Sequence, residues 1–295
     1  MNSTELFGCI ENSDTLSISS KKAYISRLKA LEKKVGATTD EMLKRPELVL
    51  KKVSEYENSK TRKNNIIPLM TLFKVCPDLK KDYTDTYNTF MEFLNEQHTK
   101  IEKDVIQGIP TKKQEDGYVR FLDIQKMVSK LSGNDKLLVA MYTLIPPMRS
   151  DYNRVAIYKG KVPEEHEPNY LLIEKPTVMH LHIGEYKTSK VMGAMEDVLP
   201  RKLAKIVSES LQNQDREWLF QTRTGKPYSP SAFSTYTRTV FERVFKKPLT
   251  VQILRHSFVD SLDFNKLTIE QRDHIGKLMG QSWVQQQRYR LNLDK

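Results

Sequence analysis

Hydrophobic positions in the first hundred residues recur at spacings of three and four. Tyr24, Ile25, Leu28, Leu31 and Val35 make one such stripe along a helix predicted over Ser17–Leu31, with Lys21, Lys22, Arg27 and Lys29 on its other faces and Gly36 as a stop. The same periodicity predicts helices over Leu48–Tyr56, Asn65–Val75 and Tyr83–Ile101, the last with Tyr87, Phe90, Met91 and Leu94 on one face. Between Lys100 and Gly117 the chain turns polar and carries Gly108 and Pro110, which is linker composition. The expected division is a helical domain over 1–105, a linker over 106–116 and a second domain over 117–295.

Past the linker, Asp123–Leu131 and Asn134–Leu144 read as helices, and Pro146-Pro147 stops the second because proline has no amide to continue the ladder. The period then changes to two. Arg154–Tyr158, Tyr170–Ile173, Val178–Ile183 and Glu196–Leu199 read as strands of a small antiparallel sheet, with Met179, Leu181 and Ile183 pointing one way and His180 and His182 the other. Gly184–Thr188 reads as a turn or strand end. From Pro200 onward the pattern is helical again: Leu203, Ile206, Val207 and Leu211 form a stripe, and Ser231–Phe245 and Thr250–Asp263 follow. Thr268-Ile269-Glu270-Gln271 and Ser282-Trp283-Val284-Gln285 both fit a capping box, with Gly280 as a stop between them, so Tyr289 is expected on a short terminal helix. The fold class is mainly α with a small antiparallel sheet.

At 295 residues and 38% hydrophobic, the chain is long enough for two independent cores. Its 48 basic and 37 acidic residues leave a net charge of +11, which favours a polyanionic partner. Placement sharpens this: 18 basic and 16 acidic residues precede position 111, so nearly all of the excess lies beyond it. The densest stretch is Gln221–Arg255, where Arg223, Lys226, Arg238, Arg243, Lys246, Lys247 and Arg255 face only Glu242. Each such cation set on a phosphate releases counterions. In the first domain Lys51, Lys52, Lys60, Arg62 and Lys63 offer a second basic face.

Several chemistries find no support. Cys9 and Cys76 lie 67 residues apart with no second pair, so reduced thiols are expected and a cysteine zinc site is not. His180 and His182 share a strand face without a third ligand at metal-binding spacing. No Gly-x-Gly or Gly-Lys-Ser/Thr occurs, which excludes the dinucleotide fingerprint and the P-loop. Met1–Ser20 lacks the form of a signal peptide, and the longest nearly apolar run, Leu137–Met148, is too short to span a membrane.

What stands out is cationic. Pro146-Pro147-Met148-Arg149, Lys187, Leu254-Arg255-His256-Ser257-Phe258 and Met279-Gly280-Gln281-Ser282 followed by Arg288-Tyr289 together resemble the tyrosine recombinases, or phage integrase family, in order and approximate spacing. The resemblance covers most of the chain: Ser17–Ile101 is similar to that family's helical core-binding domain, and Gly117–Lys295 to its catalytic domain, the DNA breaking-rejoining fold. In style it looks closest to the integrases of viruses of eukaryotes.

The resemblance implies roles that the chemistry supports. Arg149 and Arg255 bind the non-bridging oxygens of an attacked phosphodiester through paired donors. Lys187, on a strand in the family pattern and close to the alternative Lys190, protonates the leaving 5′ oxygen, and Tyr289 is the nucleophile that forms a 3′-phosphotyrosine. Gln252 and Gln281 occupy positions where the family usually has histidine, and histidine or tryptophan. Glutamine donates a hydrogen bond but takes up no proton near neutral pH. His256, His274 and Trp283 are candidate stand-ins, His256 more naturally in a structural role, and Asp151 replaces an acid the family usually has where Tyr152 stands.

The implied partner is duplex DNA, gripped between the two domains and recombined by a tetramer assembled on it, with no membrane, metal or nucleotide cofactor. The place of action is intracellular, wherever the target DNA lies, including a virus-infected host cell. A type IB topoisomerase, a hairpin-forming resolvase and a catalytically weakened DNA-binding relative use the same residues and stay open.

Overall fold

Several helix starts in the first hundred residues are set by short polar side chains that accept from otherwise free amides. Asn2 caps α1 (Ser3–Glu11) in a full capping box with Glu5, Ser17 caps α2 (Ile18–Val35), and Asn58 accepts from the amides of Lys60 and Thr61 to start α5 (Ser59–Val75) six residues before the hydrophobic pattern begins. Between them lie α3 (Thr39–Lys44) and α4 (Pro46–Ser54), and after them α6 (Leu79–Asp82) and α7 (Thr84–Ile106). The computed structural model describes residues 1–212 and 215–293 and divides into two units, Met1–Ile106 and Gln107–Lys295.

The first unit is all helical around a core that includes Leu6, Ile10, Leu28, Leu31, Leu69, Leu72 and Phe90. Gly36 takes the left-handed conformation (φ 75°) that ends α2. Pro68 lies inside α5 and cannot donate to the Asn64 carbonyl; Arg27 of α2 reaches that oxygen at 3.5 Å. The expected free thiols are corrected. Cys9 of α1 and Cys76 at the end of α5 are joined as a disulfide with Cα atoms 5.9 Å apart, because α1 packs on α5 and a long sequence gap says nothing about distance in space.

In the second unit the polar segment expected as a linker contains α8 (Lys112–Gly117), held at its start by a capping box between Thr111 and Gln114. Then come α9 (Phe121–Met127), a 3₁₀ turn, α10 (Gly133–Met141) and a second 3₁₀ turn over Asp151–Arg154. The sheet strands are β1 (Ala156–Lys159), β2 (Asn169–Lys175), β3 (Val178–Ile183) and β4 (Met195–Val198), with the four-residue α11 (Ser189–Met192) before β4. Five helices complete the unit: α12 (Arg201–Leu211), α13 (Pro230–Phe245), α14 (Val251–Asp260), α15 (Ile269–Leu278) and α16 (Trp283–Gln287).

Strand order is β1-β2-β3-β4, and the expectation of an antiparallel sheet is corrected: β1 pairs parallel with β2, while β2–β3 and β3–β4 are antiparallel. The cause lies in the loop over 160–168, which returns the chain to the start of the sheet before β2 begins. The outer edge of β1 bonds to a later segment, Ile157 donating to Glu217 and Leu219 to Val155. Met179, Leu181 and Ile183 are buried against the core, as their alternation predicts. Most of α14 is buried, including Arg255, His256 and Ser257.

The C-terminal end of α8 lies tightly on the start of α14. A Cβ on Gly117 would come within 2.6 Å of the Ile253 side chain and 2.7 Å of the Pro248 carbonyl. Gly117→Ala is therefore expected to destabilise the protein by about 1–3 kcal/mol, the usual cost of overpacking, measured by urea unfolding. Reducing the disulfide should lower unfolding free energy by up to about 4 kcal/mol, as closure of a loop of this length implies; unfolding curves that coincide with and without dithiothreitol would refute that.

Candidate active site

Helix α14 starts at Thr250, whose hydroxyl accepts from Ile253, and its first two turns bring Gln252 and Arg255 to one place. Arg255 has no exposed surface. One terminal nitrogen donates to the carbonyls of Pro147 (2.6 Å) and Met279 (3.0 Å); the other donates to Gln281 Oε1 (2.7 Å) and the Tyr289 hydroxyl (3.3 Å). The guanidinium carbon also stands 5.1 Å from the Tyr289 ring centre. Burial pushes the Arg255 pKa down, with Arg149 adding to the effect, while Tyr289 and Asp151 oppose it.

Arg149 arrives from the proline-rich segment after α10, where the Tyr142 hydroxyl donates to the Arg149 carbonyl at 2.7 Å. Its side chain donates to the Gly280 carbonyl at 3.0 Å, and the Thr188 hydroxyl donates to the same oxygen at 2.8 Å. Gly280 ends α15 with φ 64°, and a Cβ there would meet the Tyr186 ring at 3.2 Å, so glycine satisfies both the conformation and the space. The turn 279–281 thus presents two carbonyls and one side-chain oxygen to two arginines. Asp151 sits close enough to couple with both guanidiniums, yet burial outweighs them and raises its pKa; its Oδ2 is buried with no hydrogen-bond partner among the described residues.

Tyr289 is placed beyond α16, not on it. The helix ends at Gln287 and Tyr289 closes a turn onto the Gln286 carbonyl, since the amides that would extend the helix are taken elsewhere: Leu291 donates to Asp260 Oδ1 (2.9 Å) and Asn292 to the Gly108 carbonyl (2.8 Å). Burial alone would raise the phenol pKa, but Arg255, a hydrogen bond from Gln252 and the Arg149 charge together hold it below the ordinary value. The chemistry available is that of a phenol whose ionised form is favoured by two guanidiniums, with no imidazole hydrogen-bonded to its hydroxyl in any contact seen among the described residues.

Five of the six expected catalytic residues therefore converge: Arg149, Arg255, Gln252, Gln281 and Tyr289. Lys187 does not touch them. It is exposed in the turn after β3, which ends at Ile183, so the strand-borne position is corrected; the neighbouring Thr188 makes the contact to Gly280. His256 binds the Tyr289 backbone rather than its hydroxyl, His274 is exposed on α15, and the side chain of Trp283 lies outside the described residues. Thr188, Gln114 and Asp260 were missed because their partners are backbone groups or residues far along the chain.

Of the expected DNA contacts, Arg223, Lys226, Arg238, Lys246 and Lys60 are exposed, Lys63 is half-buried, and Arg62 donates to the Tyr56 carbonyl (2.6 Å). Arg243 pairs with Asp135 (2.8 Å) and Lys247 donates to the Tyr118 carbonyl (2.9 Å). His180 and His182 approach Glu174 and Glu196, and among the described residues no group of three His, Cys, Asp or Glu side chains suits a metal ion. No described helix is long and apolar enough to cross a membrane.

No family model and no curated protein matches the chain. Ten chains of solved structures do, among them the crystal structure of XerA recombinase, which is 13% identical over 97% of this chain and 93% of its own, at a TM-score of 0.42. A likeness that low decides nothing about the chemistry, and the side-chain geometry has to carry the functional reading.

Burial raises Asp260 to about 6, against its hydrogen bonds from Leu291 and Tyr118 and the Arg290 charge. The folded state holds this proton more tightly than the unfolded chain, so the stability it contributes is full below about pH 3.8 and lost as pH rises through about 6. Asp260→Asn, which keeps an acceptor for Leu291, is expected to remove this loss, worth about 1–2 kcal/mol once the screening of a partly exposed carboxyl is allowed for. Denaturant unfolding of both proteins between pH 4 and 7 checks it; a constant difference would count against it.

Proposed function

We propose that the chain is a site-specific DNA recombinase that cuts and rejoins strands through a 3′-phosphotyrosine at Tyr289. The observation that carries this reading is the Tyr289 hydroxyl, 3.3 Å from a fully buried guanidinium and held below its ordinary pKa despite burial. A buried arginine with no carboxylate hydrogen-bonded to it suits an anion, and the donor now facing the phenol is the one a phosphate oxygen would take.

In the proposed step the phenol loses its proton to solvent, the oxygen attacks phosphorus, and the bond to the 5′ oxygen breaks with its electron pair leaving on that oxygen. Lys187, exposed one residue from Thr188, supplies the proton to the 5′ oxygen. Reversal by a 5′ hydroxyl from a second duplex restores the tyrosine and completes the exchange, and its two-strand form calls for a tetramer on DNA. Gln252 and Gln281 orient phenol and guanidinium and take no proton. Lys60, Arg62 and Lys63 near the start of α5, whose first turn holds no acid, and the exposed Arg223, Lys226, Arg238 and Lys246 are the proposed phosphate contacts, with Arg243 and Lys247 joining, as Arg62 does, by exchanging their present partners.

Incubation with fragmented DNA, denaturation in SDS and sequencing of protein-linked fragments tests this directly. Linked fragments that share a sequence and vanish in Tyr289→Phe are expected, with Arg149→Ala lowering adduct yield on nicked substrates ~10²–10³-fold. Adducts at scattered sequences would replace the reading with a topoisomerase. DNA bound without any adduct, even on nicked substrates, would replace it with a DNA-binding relative.

A further inference from the structure

Gln252, His256 and Asp260 stand at successive turns of α14, on one stripe. Each meets a different group on the segment that carries the tyrosine. Gln252 bonds the Tyr289 hydroxyl, His256 Nδ1 lies 2.5 Å from the Tyr289 carbonyl, and Asp260 Oδ1 accepts from the Leu291 amide at 2.9 Å. The His256 ring also packs on the Tyr289 ring, centroids 4.7 Å apart.

The second ring nitrogen of His256 lies 3.0 Å from Gln114 Nε2. A carbonyl only accepts, so Nδ1 carries the hydrogen toward Tyr289. Gln114 Oε1 accepts from both the amide and the hydroxyl of Thr111, at 2.8 Å each, which turns its NH₂ toward the imidazole and makes Nε2 the acceptor. Two neighbours therefore assign one neutral tautomer, and α8 is linked through His256 to the backbone of Tyr289.

We propose that His256, oriented by Gln114 and supported one turn later by Asp260, is a positioning residue that holds the Tyr289 hydroxyl at Arg255 without touching substrate. The proposal rests on Tyr289 as nucleophile, and it explains why an imidazole beside the tyrosine is spent on the main chain. Removing the donor lets the segment 289–291 drift from α14, and the hydroxyl then loses the guanidinium that favours its ionised form.

The test reads Tyr289 itself and needs no DNA. In protein labelled with ¹³Cζ-tyrosine, the Tyr289 resonance is assigned among the 13 tyrosines by its loss in Tyr289→Phe. It should titrate below the ordinary phenol range in the native protein and about one unit higher, tenfold in ionisation constant, in His256→Leu. His256→Asn places an amide donor where Nδ1 stood and should stay near the native curve, whereas Gln114→Met should move part of the way to the Leu variant. If His256→Leu fails to fold, the contrast between His256→Asn and Gln114→Met decides in the same way. Identical titration in native protein, His256→Leu and Gln114→Met overturns the proposal, as does a His256→Asn shift equal to that of Leu. Single-turnover adduct formation is then expected to fall in His256→Leu with DNA binding unchanged. Absence of adduct in the native protein would remove the nucleophile reading while leaving the titration result intact.

Discussion

A guanidinium removed from water needs acceptors around it, and the two terminal nitrogens of Arg255 find them in two backbone carbonyls, a glutamine and a phenol, while its Nε is buried with no hydrogen-bond partner among the described residues. Because those acceptors come from Pro147, the turn at Met279–Gln281 and Tyr289, one buried charge gathers three segments remote in sequence from α14. A neutralising carboxylate is not among its hydrogen-bond partners. Asp151 interacts only through space and is itself pushed toward its protonated form. The positive charge is therefore solvated mainly by dipoles, with no carboxylate hydrogen-bonded to it.

The turn at Gly280 does the complementary work. A left-handed glycine lets the carbonyls of residues 279 and 280 point at different arginines, and Thr188 steadies the second of them. Arg149 and Arg255 are thereby set by one rigid piece of main chain rather than by each other. That matters because two like charges brought together would otherwise separate.

Much of the architecture is readable in the residues, and the part that is not has identifiable causes. Helical periodicity locates α2, α4, α5 and α7, while starts move wherever a cap such as Asn58 lies outside the hydrophobic stripe. The parallel pairing of β1 with β2 depends on the path of a loop, and the Cys9–Cys76 bond on how α1 packs on α5; neither leaves a periodic trace. At the site, residue types and order point to Arg149, Arg255, Gln252, Gln281 and Tyr289, but their main partners are carbonyls, which are the same at every position of any sequence. Lys187 is expected on a strand, and that strand ends four residues earlier. The stripe 252, 256, 260 becomes legible only once the tyrosine segment is known to lie along α14.

Among the described residues the sheet leaves β4 with a strand on one side only, since the far side of β1 is occupied by the segment at Glu217–Leu219. An open edge invites pairing with another molecule's strand. Here the open strand is four residues long and carries Glu196 and Asp197, and the Asp197 carboxylate captures the amide of Val198. At neutral pH like charges on two such edges repel, and one rung is already withdrawn from the ladder. Copies of this chain brought close together are thus kept from fusing through their sheets, because the edge that could grow by strand addition is short, acidic and partly withdrawn.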